Sequence, residues 1–326
     1  MKKTLALVMC LALAMSALLV GCGEKKAATL KFGMGVYASV PAVTDATADK
    51  EGSGKLDVTV AAVTVDADGK IVACALDTAS NTVNFTTEGK AVAKTEFKTK
   101  YELGKDYNMV TYGGAKKEWY EQADAFEAFV AGKTLDEVKA LVAEGNKGTQ
   151  DVINAGCTIM IHEFVGAIEK AYNAAKESNV TAENTLKVTA ATEQTCTDAT
   201  ADKDGSNKVS TTFFAAAVDA EGKVVAAASD CVELAFTFTT KGASTLNTSK
   251  AVVSKKEAGT DYGMVAYGNA KKEWFEQAAA FDAACVGKTA TEIAALIGND
   301  GKAVADVQAA GCTIYVSGFV KAASKI

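Results

Sequence analysis

The chain contains the same unit twice, and that repetition constrains its fold more than any other feature. Residues 106–134 read DYNMVTYGGAKKEWYEQADAFEAFVAGKT, and residues 261–289 read DYGMVAYGNAKKEWFEQAAAFDAACVGKT; 20 of these 29 positions are identical. Upstream, Asp45-Ala-Thr-Ala-Asp49-Lys50 recurs as Asp198-Ala-Thr-Ala-Asp202-Lys203. Downstream, Ala155-Gly156-Cys157-Thr158-Ile159 recurs as Ala310-Gly311-Cys312-Thr313-Ile314. Solenoid units run about 20–50 residues, so copies this long are duplicated domains. The boundaries fall at 31–174 for the first repeat domain and 184–326 for the second, with a polar linker over 175–183.

Both units carry the same order of patterns. Leu56 to Val65 is rich in β-branched residues and partly alternates, which predicts a strand. Asp66-Ala-Asp68-Gly69 then makes a turn, and Ile71 to Leu76 returns as the second arm of a hairpin. The second copy repeats this with Phe213–Val218, a turn at Asp219–Gly222, and Val224–Ala228. Val83–Phe85 and Ala235–Phe238 suggest a further strand. Trp119, Ala123, Phe126 and Val130 then fall on one face of a helix, as do Trp274, Ala278, Phe281 and Cys285. Gly132 and Gly287 stop that helix. Thr134 to Glu137 and Thr289 to Glu292 are capping boxes that start a short second one. Phe164, Ile168 and Tyr172 have helical spacing in a last segment. Strands followed by helices predict an α+β fold: two tandem repeats, each an antiparallel sheet packed with helices.

The N-terminus reads as an export signal. Lys2 and Lys3 precede a predominantly apolar run from Leu5 to Val20. That run is shorter than the roughly 20 residues a membrane-spanning helix needs. Leu19-Val20-Gly21-Cys22 resembles a bacterial lipobox, which implies a signal peptide over 1–21 and acylation of Cys22. Acyl chains partition into a bilayer at about 0.8 kcal/mol per methylene. The expectation is an extracytoplasmic, lipid-anchored protein that meets membrane lipid through Cys22, with residues 22–30 as tether.

Charge narrows the partners. The chain carries −6; the leader lysines account for +2, so the mature chain is near −8. It contains no arginine, the side chain that reads phosphate and guanine in bidentate fashion. Nucleic acid is therefore not an expected partner. With His162 the only histidine, neither haem nor a histidine-rich metal site is expected. A Ser-His-Asp set cannot exist in both units, and no catalytic residue is assigned.

Several local patterns have a simple physical reading. Gly132-Lys133-Thr134 and Gly287-Lys288-Thr289 lack the upstream glycine of a phosphate loop and read as a helix stop and cap. Asp66/Asp68 and Asp45/Asp49 lack the glutamate of a calcium loop and read as turns. Of the cysteines beyond Cys10 and Cys22, only Cys157 and Cys312 hold matching places. The six therefore read as free thiols rather than a disulfide framework, although a helix N-terminus would favour thiolate at Cys157 and Cys312.

A D-x-D-G-K-I turn (Asp66–Ile71), a W-x-x-Q helix (Trp119–Gln122), a Gly-Lys-Thr and a small-Gly-small-Thr stretch occur in that order. In this the chain resembles the FMN-binding domain family, which includes tandem-domain flavin lipoproteins of Gram-positive bacteria. In covalent members a flavin transferase joins FMN through its phosphate to a threonine or serine. The resemblance implies Thr158 and Thr313 as the attachment residues at the start of the final helix, with Gly156 and Gly311 allowing close approach. It also implies Trp119, Trp274, Tyr107, Tyr262, Tyr112 and Tyr267 around the ring, and a membrane electron donor. Both copies depart alike from the family motif: Asp151 and Asp306 lie one residue too far upstream, and Ala155 and Ala310 replace a hydroxyl. These residues accommodate either an ester-linked or a non-covalently held FMN. The expected function is extracytoplasmic electron transfer; the alternative is a cofactor-free surface ligand-binding or structural lipoprotein.

Overall fold

The computed structural model describes residues 27–326. The expected signal peptide over 1–21 and the expected lipidation residue Cys22 lie outside the described residues. The first unit opens with three long antiparallel strands, β1 (Leu30–Thr44), β2 (Gly52–Val65) and β3 (Ile71–Phe85), and a short β4 (Ala91–Val92). Helices follow: α1 (Lys100–Leu103), α2 (Trp119–Val130), α3 (Leu135–Lys139), α4 (Gln150–Ala155) and α5 (His162–Ala174). Strand β5 (Lys176–Val180) leads to the second unit, which repeats the plan with β6 (Thr185–Thr197), β7 (Gly205–Val218) and β8 (Val224–Phe238). Its helices are α6 (Lys255–Ala258), α7 (Trp274–Cys285), α8 (Ala290–Ala294), α9 (Ala305–Ala309) and α10 (Ser317–Ala323). The sheets run β4-β3-β2-β1-β5 and β6-β7-β8. The fold is α+β, with two antiparallel sheets each packed with helices.

The hairpins form where the aspartate turns sit. Asp66 Oδ1 accepts from the Asp68 and Lys70 N–H groups, and Gly69 takes a positive φ of 77°. Asp219 and Gly222 reproduce this in the second unit. Val83–Phe85 and Ala235–Phe238 are the far ends of β3 and β8, not separate strands. Residues 175–183, read as a polar linker, contain β5, which pairs with β1 as an edge strand. Strands β1 and β6 escape the sequence reading. In β1 the pattern is masked by Gly33 and Gly35, because α5 lies directly on the strand. A Cβ on Gly33 would sit 2.7 Å from Ala175 Cα, and one on Gly35 2.6 Å from Lys170 Cβ. Pro41, the only proline, falls in an irregularity of the β1–β2 register between Ser39 and Ala42, where a missing N–H costs no ladder bond.

The two sheets pack face to face, and each carries its helices on the outer side. Leu56, Val58 and Val60 of β2 meet Val209, Phe213 and Phe236 of the second sheet in one shared apolar layer. On the opposite faces, Ala61, Val63 and Val65 pack under the helices of unit 1, and Phe214, Ala216 and Val218 under those of unit 2. The β2 and β7 strands are thus buried on both faces, which explains why their alternation is only partial. The order is helices, sheet, sheet, helices.

Pairs of reciprocal contacts lock the layers together. Ala46 N–H donates to the Gly242 carbonyl (2.8 Å), and Ala199 N–H to the Gly89 carbonyl (2.7 Å). Asp45 accepts from Ser244 N–H and Asp198 from Ala91 N–H. The repeated Asp-Ala-Thr-Ala-Asp-Lys motif is therefore a clasp between units. Phe85 and Phe238 stack across the join at 4.5 Å, and Lys170–Glu257 and Lys325–Glu102 form matching ion pairs.

Phe213→Ala removes a fully buried ring from the shared layer and is expected to cost about 3–5 kcal/mol. The unfolding midpoint should fall equally when read from Trp119 in a Trp274→Phe background and from Trp274 in a Trp119→Phe background. A shift confined to the Trp274 signal would mean that the units unfold independently.

Candidate functional site

Each long helix rests on the sheet through the stripe expected from the sequence, with Trp119, Ala123, Phe126 and Val130 buried. Trp119 is 3% exposed and meets Phe164 edge-on; Trp274 is 4% exposed and leans on Phe319. A lysine lies over each indole. Lys100 Nζ is 5.5 Å from the Trp119 ring centre and 5.3 Å from that of Tyr107. Lys255 Nζ lies 5.6 Å from Trp274 and 5.1 Å from Tyr262. Such contacts stabilise a partly desolvated cation by about 0.5–2 kcal/mol. Trp119 and Trp274 are thus core walls that hold a lysine. Tyr112 and Tyr267 stand 84% and 88% exposed, away from this aromatic group.

The Ala-Gly-Cys-Thr stretch occupies a loop rather than a helix start. Helix α4 ends at Ala155, Gly156 turns left-handed with φ 111°, and α5 begins only at His162. Thr158 is therefore too far from the N-terminus of α5 for its dipole to act there. The W-x-x-Q glutamine holds the loop instead. The Thr158 N–H and hydroxyl both donate to Gln122 Oε1 (2.9 Å each), and Gln122 Nε2 donates to the Lys117 carbonyl (3.1 Å). Gln277 makes the same three bonds to Thr313 and Lys272. Gly156 and Gly311 are needed for their positive φ of 111° and 114°, and the ends of Lys117 and Lys272 lie over them. A Cβ there would come within 3.3 Å of Lys117 Cε or 3.0 Å of Lys272 Cε. Both threonine side chains face solvent.

Neighbouring repeated residues are also structural. Glu118 accepts from the Met109 and Val110 N–H groups, and Glu273 from those of Met264 and Val265. Cys157 and Cys312 are buried away from any helix N-terminus, and burial pushes each thiol up to about 11. They are protonated packing groups. The six cysteines of the described residues are free.

In the second unit the candidate residues meet. Tyr262, Trp274 and Thr313 line one cavity of about 580 Å³, with Gln277 in its wall. Lys255 and Lys302 enter it. Lys255 pairs with Glu233 at 3.0 Å, and Lys208 reaches the same carboxylate at 3.2 Å. Burial disfavours ionised Glu233, but these two cations outweigh it and hold its pKa below the usual value. Lys302 lies over the Tyr315 ring at 6.0 Å and has no carboxylate within ion-pair distance among the described residues. Gly311 turns the loop that presents Thr313 but does not line the cavity. A larger space of about 690 Å³ lies where the two units meet, between β1, β8 and the outer face of α7. None of the candidate residues borders it.

Four carboxyls matched across the copies, three buried and Glu127 half-buried, escape the sequence reading. Asp77 and Asp230 accept backbone N–H groups at the starts of α1 and α6 (Tyr101 and Lys256), while Glu127 and Asp282 accept those of Leu76 and Ser229 on the sheet edges. Acidic residues at equivalent places in both copies were the available signal. Burial raises Asp77 to about 7, Glu127 to about 8 and Asp230 to about 6. They cover edge amides that would otherwise lack partners. No cluster suited to a metal ion occurs among the described residues.

Comparison with models of known protein families, with curated proteins and with solved structures finds no match for this chain.

Gln277→Leu leaves the Thr313 N–H without its acceptor and is expected to cost about 1–3 kcal/mol. Amide exchange at Thr313 should accelerate while Thr158 stays protected; equal protection at both would show that Gln277 does not hold the loop. The raised carboxyls also set a pH dependence. Their folded forms bind protons more tightly than the unfolded chain does, so their contribution is complete below about pH 4 and lost as pH rises toward 8. Denaturant unfolding should show stability falling from pH 5 to pH 8, with a shallower fall in Glu127→Gln. An unchanged slope in that variant would remove Glu127 as a cause.

Proposed function

We propose that this chain is a lipid-anchored protein of the extracytoplasmic membrane face that binds FMN and carries electrons from a membrane donor. One observation carries the reading: Tyr262, Trp274 and Thr313, separated by up to about fifty residues in sequence, border a single cavity that also contains the carboxylate-free cation of Lys302. The chemistry of that cavity fits a planar aromatic anion. Lys302 supplies a cation for a phosphate group, beside the Thr313 hydroxyl, whose proton goes to Gln277 Oε1. The Tyr262 and Tyr315 rings flank the space where a ring system would lie. Ser210, Thr212 and Glu233 supply hydrogen-bonding groups on the opposite wall. A bound flavin would supply one- and two-electron transfer. The protein's part is to hold the ring, neutralise the phosphate and exclude bulk water. Thr313 has the exposed hydroxyl that an ester made by a flavin transferase requires, and the same contacts serve FMN held without a bond.

The second reading is a cofactor-free binding lipoprotein. It is favoured by the 690 Å³ groove between the units, whose apolar wall includes Phe275, Ala279 and Ala283 on α7 and Val286 just beyond it. Where α7 carries Phe275 and Ala279, the matching positions of α2 are Tyr120 and Asp124.

The protein purified from its native membrane is expected to show a flavin absorption spectrum. Colour that survives denaturation, with added mass on the peptide containing Thr313, identifies the ester; colour released on denaturation identifies non-covalent FMN. A colourless protein whose mass exceeds the polypeptide only by its lipid would overturn the flavin reading in favour of the second.

A further inference from the structure

We infer that the two units are not equivalent: only the second holds a ligand, because the first fills the corresponding space with its own side chains. This rests on the flavin reading above and adds its stoichiometry and the residue that decides it. The shared register makes the comparison direct. Thr59 of β2 and Thr212 of β7 occupy the same place, opposite Tyr37 in β1 and Ala191 in β6. Ser39 corresponds likewise to Glu193. At the helix that closes the site, His162 and Glu163 of α5 correspond to Ser317 and Gly318 of α10.

At three places a bulky side chain of the first unit gives way to a small one in the second; at Ser39 the exchange is reversed, and Glu193 accepts from Lys321 (2.7 Å) and Ser317 (3.4 Å). In unit 1 the Glu163 carboxylate accepts from the Ser39 hydroxyl (2.7 Å) and the Thr59 hydroxyl (3.4 Å). Thr59 is also bonded to Thr78 at 2.9 Å. Tyr37 and His162 pack edge to face beside them at 6.2 Å. The acid lies across the polar wall and satisfies it. In unit 2 the corresponding wall residues, Glu193, Thr212 and Cys231, all border the cavity, together with Ser317 and Gly318. Gly318 has no side chain to reach them, and a Cβ there would already be 2.7 Å from Thr212 Oγ1. What Glu163 does inside unit 1, a ligand does in unit 2.

The clamp below the site is meanwhile the same in both units. Gln122 and Gln277, Lys100 and Lys255, and Trp119 and Trp274 make matching contacts. The difference lies in the side chains that wall the space: besides the exchanges above, Asp57, Ser80 and Met160 of the first unit stand where Ser210, Glu233 and Tyr315 stand in the second. Gly318 is the specificity-determining position of the second unit.

The test is the molar ratio of FMN to chain in the full-length protein, read from absorbance, for the native sequence, Gly318→Glu, Glu163→Gln and Lys302→Gln. One flavin per chain is expected. It should be lost in Gly318→Glu, depleted in Lys302→Gln and unchanged in Glu163→Gln, with the unfolding temperature showing that each variant is folded. If Gly318→Glu does not fold, the contrast between Lys302→Gln and Glu163→Gln decides. Two flavins per chain, or one that persists in Gly318→Glu and Lys302→Gln, would overturn the inference while leaving the flavin reading intact. No flavin in the native protein would overturn that reading itself, and this inference with it.

Discussion

The apolar layer shared by the two sheets is the constraint on which the rest of the structure depends. Leu56, Val58 and Val60 from one unit and Val209, Phe213 and Phe236 from the other have no other place to be buried. Taken apart, either sheet would expose that whole face to water, at a cost of roughly 25 cal/mol for each Å². The duplication therefore forms one body with three apolar layers, not two beads on a string. The clasps made by Asp45, Ala46, Asp198 and Ala199 set the angle at which the sheets meet. The Lys170–Glu257 and Lys325–Glu102 pairs repeat the same relation at the helix ends. Ion pairs this exposed add little energy, so they serve registry more than stability.

With the central layer fixed, each unit packs its own helices on its outer face. The residues that hold backbone in place are the same in both copies. Glutamine binds the threonine loop, glycine turns it, glutamate caps the segment after the tyrosine, and a lysine lies between tyrosine and tryptophan. Every one of these satisfies a buried polar group or fills a core position, and loss of one partner leaves the other uncompensated. The side chains that point into the site obey no such rule. Ala191, Ser317 and Gly318 stand where Tyr37, His162 and Glu163 stand in the first unit. Duplication permits this kind of divergence in the side chains, while the backbone supports stay the same.

The tandem units, the hairpins at Asp66–Gly69 and Asp219–Gly222, the helices that begin at Trp119 and Trp274, and the α+β class could all be read from residue patterns. Each is local: a turn needs its aspartate and glycine, and a helix needs its stripe. Strand β1 was hidden because Gly33 and Gly35 answer to a helix more than 130 residues away. Strand β5 was hidden because an edge strand needs no apolar pattern. Thr158 and Thr313 were found by motif, but their expected place at a helix start was not what folding produced. Their true partners, Gln122 and Gln277, lie 36 residues upstream, too far for any local pattern to link them.

The sequence by itself determined the number of units, the type and order of most elements, and which side chains are repeated, because short-range sterics and periodic burial decide those. Only the tertiary structure decided that the sheets share a face, that the aspartate motifs clasp the opposite unit, and that one unit is open where the other is filled. Those outcomes depend on which surfaces meet. That Gly318 stands where Glu163 does shows only when the strands beneath them are placed in register.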